Sequence, residues 1–124
     1  MNLQSSPKAP PSHMLDWEAL RHRCLGRDDL LNKALARFQV SFERDLKELE
    51  VAADARNCPE LARIAHRIKG ALLTISANGL ASSVAELEQI SAGDCANLAD
   101  QLNEVREDCD RLSQLIDQHL VGAD

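Results

Sequence analysis

With 124 residues the chain has room for one domain around one modest core. Its 14 basic and 20 acidic side chains leave a net charge of -6, which argues against a nucleic-acid binder. No Tyr, two Phe and one Trp leave little to stack on bases and argue against an all-β fold, so Leu, Ile, Val and Ala must build the core, in helices.

Residues 1–14 hold Pro7, Pro10 and Pro11 among polar side chains and read as a flexible tail or linker. No basic stretch followed by an apolar run and a cleavage site opens the chain, and no apolar run is long enough to span a bilayer. The expectation is therefore a cytoplasmic protein without membrane insertion. From residue 15 to 121 the pattern is helical and reads as one domain.

A short first helix takes Asp16 as N-cap, carries Leu15, Trp17, Leu20 and Cys24, and ends at Gly26. A long second helix begins near Asp28. Its apolar positions Leu31, Leu35, Phe38, Phe42, Leu46, Leu49 and Ala53 recur in steps of four and three, one buried stripe. The third starts near Asn57, with Pro59 in its first turn and Glu60 three residues after the cap. Its stripe is Leu61, Ile64, Ile68, Leu72 and Ile75. A fourth begins near Asn78 with Leu80, Val84, Leu87 and Ile90. Gly93 breaks it, and Asp94 is expected to cap a fifth that carries Leu98, Leu102, Val105, Cys109, Leu112 and Ile116. Short connections make neighbouring helices antiparallel. The predicted fold is all-α: an up-down-up-down antiparallel four-helix bundle with an extra short N-terminal helix, monomeric because it can bury its own stripes.

Cys24, Cys58, Cys95 and Cys109 form no C-x-x-C pair and have no zinc-ligand spacing, so they read as reduced thiols at or near the core, with no metal site. His13, His22 and His119 fall in the tail or near helix ends and receive no role.

Gly70 is the residue that does not fit a plain bundle. It falls inside the third helix, where glycine costs about 1 kcal/mol relative to alanine. At about 100° per residue, His66 points roughly 140–150° away from the buried stripe, and Gly70 lies one turn further on the same face. Lys69 is three residues beyond His66, and Arg63 and Arg67 flank it, a local cationic patch in an acidic chain. Neutral imidazole is a good nucleophile near neutral pH. Neighbouring cations disfavour its protonated form, and Lys69 can stabilise a new phosphoimidazole. The plain alternatives are a polar surface histidine and a packing glycine.

His66-Arg67-Ile68-Lys69-Gly70 resembles the H-x-[LI]-K-G signature of histidine-containing phosphotransfer (HPt) domains. Phe38 and Phe42 stand where that family carries aromatics, and Ala65 precedes the histidine. Ala77 and Leu80 follow at the expected interval, and Leu87-Glu88 with Gly93-Asp94 resembles the family's L-E…G-D ending. The likeness runs from about Leu15 to Leu120. One departure is Ser76, where the family usually has Gly.

The resemblance implies that His66 accepts a phosphoryl group from a receiver-domain aspartyl phosphate and passes it to another receiver. Lys69 would stabilise the phosphate and Gly70 would give the partner clearance. It further implies no kinase activity, no cofactor bound by this chain, and Mg²⁺ in the partner receiver. The partners would be receiver domains of hybrid sensor kinases and response regulators. By the angular count, Ala62, Leu73 and Ala77 share the outward face with His66, and with Arg63 and Arg67 they form the expected docking patch. The alternative is an adaptor bundle that binds a receiver or kinase without being phosphorylated. A phosphotransferase acting on a small molecule is disfavoured, since no glycine-rich phosphate loop, paired carboxylates or metal set appears.

Overall fold

Capping residues set the starts of two helices where the sequence places them. The Asp16 carboxylate accepts from the Ala19 N–H at 3.0 Å and opens α1 (Trp17–Arg23). Asn57 accepts from the Glu60 N–H at 3.2 Å and opens α3 (Cys58–Thr74), with Pro59 in the first turn. The computed structural model describes residues 14–93 and 95–122. Among them the further helices are α2 (Asp28–Asp54), α4 (Asn78–Ala92) and α5 (Ala99–Gly122), with a 3-10 turn over Cys95–Asn97 and no strand. The proline-rich segment lies outside the described residues except for Met14, which is buried in the core.

Three helices end in the same way, each on a left-handed residue that is not glycine: Leu25 (φ 60), Arg56 (φ 53) and Ser76 (φ 63). After α3, the Ala77 N–H reaches the Leu72 carbonyl at 2.9 Å and the Ser76 N–H reaches Leu73 at 3.2 Å. This paired closure satisfies carbonyls that the helix leaves open. The family's glycine at position 76 thus corresponds to a left-handed backbone, and Ser76 adopts it without glycine's freedom. The α1 terminus follows the same rule: Leu25 is the first left-handed residue there, one before Gly26 (φ 73).

The core is aliphatic. α3 buries Leu61, Ile64, Ala65, Ile68 and Leu72, and α5 buries Leu102, Val105, Cys109, Leu112 and Ile116. α3 packs on α2 and α4, and α5 packs on the same two. Two predicted stripes shift. In the second half of α2 the buried positions are Asp45, Leu49 and Ala52, while Leu46 and Ala53 are half-buried. Asp45 takes the inward place because α3 supplies Arg67 as its partner. In α4, Ala81 and Ser91 are buried and Ile90 is half-exposed.

The fifth helix starts later than expected. Asp94 lies outside the described residues, the chain makes a 3-10 turn, and the Leu98 carbonyl accepts the first helical bond, from Leu102, at 2.9 Å. The cysteine expectation is overturned at the same place: Cys58 and Cys95 are joined in a disulfide, with Cα atoms 6.3 Å apart, a bridgeable distance. They are 37 residues apart in sequence, and only the packing of α3 against α4 brings them together. Cys24 and Cys109 are free thiols. Burial, with Asp108 and Asp110 adding to it, pushes the Cys109 thiol up to about 12.

α1 is tied to the junction between α3 and α4. The Asp16 N–H donates to the Ser76 carbonyl at 3.0 Å, and the Arg23 guanidinium donates to the carbonyls of Leu73 and Thr74 at 2.9 and 3.0 Å. Trp17 packs against His119 with the rings tilted and their centroids 4.7 Å apart, and His119 Nε2 lies 2.9 Å from Asn32 Oδ1. That histidine therefore joins three helices. His22 is exposed, and His13 lies outside the described residues.

Candidate functional site

The buried positions Ile64, Ala65 and Ile68 fix the roll of α3, and with it the direction of His66. The imidazole side chain is 67% exposed. One turn further, a Cβ built on Gly70 would meet nothing within 4 Å. Among the described residues no neighbour needs the glycine for close packing, so the packing explanation does not apply there. What the glycine leaves is open surface beside the ring.

Two bonds from one carboxylate organise the site. Glu88 Oε2 lies 3.0 Å from His66 Nδ1, and Glu88 Oε1 accepts from Lys69 Nζ at 3.1 Å. A carboxylate only accepts, so Nδ1 must carry the proton. In the neutral ring the lone pair is then on Nε2, the nitrogen turned away from Glu88. Burial works to raise the Glu88 pKa, but the bonds from Lys69 and His66 outweigh it and hold the carboxyl below its ordinary 4.5. Glu88 is therefore ionised at neutral pH.

In the sequence Glu88 stands only in the Leu87-Glu88 pair, with nothing to place it at the site. It lies 22 residues from His66 on another helix, so no periodicity connects the two. The L-E motif was the one signal that could have pointed to it.

The cationic patch needs correction. Arg63 is held by Glu60, with Nε to Oε1 at 2.8 Å and Nη2 to Oε2 at 2.6 Å. Arg67 donates to Asp45 Oδ1 at 3.0 Å and to Glu48 Oε1 at 2.7 Å, across to α2. Lys69 shares Glu88 with the ring. Each cation beside His66 has its own carboxylate, because short helical and cross-helix spacings place acids within reach of every one. Three cations thus face four carboxylates, so the surroundings are not net positive.

The expected docking patch is only partly assembled. Leu73 is 43% exposed and Ala62 is half-buried, on the side of α3 that carries His66 and Gly70. Ala77 is fully buried, contrary to the angular count. α3 stops at Thr74, and the left-handed Ser76 turns the chain inward before Ala77 precedes α4.

Among the described residues no group of three or more His, Cys, Asp or Glu is placed to hold a metal ion. No helix there is long and apolar enough to cross a membrane. The family model for the Hpt domain matches residues 33–120, which include α3, α4 and the His66–Lys69–Glu88 group. No curated protein and no solved structure matches the chain.

Proposed function

The chain belongs to the Hpt domain family, which serves phosphotransfer in two-component signalling, and on that footing we propose that His66 is its phosphoryl carrier. The observation that carries this reading is the exposed ring with Nδ1 on Glu88 and Nε2 free beside the bare backbone of Gly70. Nε2 attacks the phosphorus of a receiver's aspartyl phosphate. The N–P bond forms as the P–O bond breaks, and the aspartate leaves as a carboxylate. The ring, still protonated at Nδ1, becomes cationic, and the Glu88 carboxylate offsets that charge. Attack by a second receiver's aspartate on phosphohistidine reverses the same steps.

Lys69 lies on the same carboxylate as the ring, so its ammonium can turn from Glu88 to the incoming phosphoryl oxygens. Gly70 leaves room for the receiver's own loops. Mg²⁺ belongs to the receiver, and this chain carries the group without kinase activity. The four long helices run up-down-up-down, with α1 as an addition across the α3–α4 end. The chain works as a cytoplasmic monomer that docks receivers of hybrid kinases and response regulators through Ala62, Leu73 and the two arginines.

The test is incubation with a phosphorylated receiver and Mg²⁺, beside a His66→Gln variant. Acid-labile, alkali-stable label on the wild type alone is the expected result. Equal labelling of the variant would remove His66 from the role, and binding without label in either protein would favour the adaptor reading.

A further inference from the structure

The disulfide lies where it can act on the site. Cys58 is the first residue of α3, and Cys95 follows the end of α4. At their other end the same two helices are joined by the turn through Ile75, Ser76 and Ala77. The α3–α4 hairpin is thus closed covalently at both ends, and the closed loop contains His66, Lys69 and Glu88. The bonds that orient the ring cross from α3 to α4, so they depend on how these helices are held against each other. Cys58 and Cys95 are half-exposed, within reach of small thiols, whereas Cys109 is fully buried.

We propose that Cys58 and Cys95 are a reversible dithiol–disulfide modification site, oxidised by a small disulfide of the glutathione class, that latches the hairpin carrying the phosphoryl site. In the oxidising direction one cysteine thiolate attacks the small disulfide and forms a mixed disulfide, releasing one glutathione thiolate. The second cysteine thiolate then attacks the protein sulfur of that mixed disulfide and releases the other thiolate. The two cysteines together lose two electrons, and the small disulfide gains them as two thiols. Reduction runs the steps backward. With the bond open, the first turn of α3 and the last turn of α4 can separate, and Glu88 is held less firmly on His66 and Lys69. The control of transfer rests on the carrier reading of His66; the latch itself does not.

Wild-type protein equilibrated in glutathione buffers of graded ratio, then alkylated and weighed, should show one two-electron transition confined to Cys58 and Cys95. Closing a loop of this length implies a Tm lower by roughly 10–20 °C in the reduced form. Amide exchange in α3 and α4 should be roughly tenfold or more faster after reduction. A Cys58→Ser/Cys95→Ser double variant should match reduced wild type in any buffer. Transfer from a phosphorylated receiver should be roughly twofold to tenfold slower in the reduced form. A pair that stays wholly reduced or wholly oxidised across the buffers would overturn the couple, and equal exchange in both states would overturn the latch. If neither state accepts a phosphoryl group, the carrier reading and its redox control fall together, while amide exchange still decides the latch.

Discussion

At the scale of single residues, Glu88 carries the most specific expectation. It fixes the proton on Nδ1 and, on the proposed carrier reading, offsets the cation that would form when Nε2 takes the phosphoryl group. Replacing Glu88 with Ala should slow single-turnover transfer to His66 by roughly tenfold, as loss of an orienting partner does for other imidazoles. Nitrogen chemical shifts should show the ring redistributing between tautomers. Glu88→Gln should fall between the two proteins, since its carbonyl oxygen can still accept from Nδ1–H. Unchanged rates and tautomers would remove Glu88 from the site. The pH dependence follows from the same bonds. Because the folded carboxyl lies below its ordinary 4.5, its contribution to stability is present above that pH and is lost as pH falls through the folded value. The stability difference between wild type and Glu88→Gln should therefore shrink on acidification below pH 4.5. Ser76 gives a prediction of the opposite sign. Its left-handed backbone suits glycine, so Ser76→Gly should stabilise the fold by up to about 1 kcal/mol, read as a higher denaturation midpoint.

At the scale of elements, α3 is positioned by an ion pair directly beside His66. The Asp45 side chain is only 3% exposed, and Arg67 is its close partner, with Arg44 no nearer than 3.9 Å. Removing Arg67 leaves a buried carboxylate without its partner, a loss of roughly 2–3 kcal/mol, moderated because Arg67 itself faces solvent on one side. Asp45→Ala should cost less, since Arg67 keeps Glu48 and the buried charge is gone. A urea titration of the two variants that found the opposite order would refute this account of how α2 seats α3. The outer face of the same helix makes a separate prediction. Leu73→Glu should leave stability within about 0.5 kcal/mol yet weaken receiver binding by roughly tenfold. Titration calorimetry against a cognate receiver, beside a melting curve, separates the two effects.

At the scale of the whole molecule, the aliphatic core responds as one unit, and Cys109 reports on it. Its thiol is fully buried in the core and pushed up to about 12. Alkylating reagents should therefore modify Cys24 in the native protein and reach Cys109 only on global unfolding. The unfolded thiol ionises first, near 9.0, so stability should fall as pH rises from there toward about 12. Rapid native modification of Cys109 would mean that α5 opens locally. Five helices were legible because each has its own apolar period, and α1 and α3 have their own side-chain caps as well. Asp16, Asn57 and the stripe of α3 needed nothing beyond their neighbours in sequence. The stripe of α2 drifted because Asp45 is buried by a partner on another helix. The start of α5 lies at Ala99, past a 3-10 turn over Cys95–Asn97 that the apolar period does not reveal.

The sequence by itself determined the helices, the outward direction of His66, and the company of Lys69 and Gly70, because all of these follow from one helical period and short-range capping. Tertiary structure alone decided which nitrogen of His66 is free, which acids on other helices neutralise Arg67 and Lys69, and which cysteines pair. Each of those depends on atoms from two helices meeting within about 3 Å for a hydrogen bond, or at bonding distance for sulfur. No spacing along one helix specifies such a meeting. Ala77 marks the boundary between the two kinds of inference: its angle on an ideal helix pointed outward, but α3 had already ended, and the backbone at Ser76 turned it into the core.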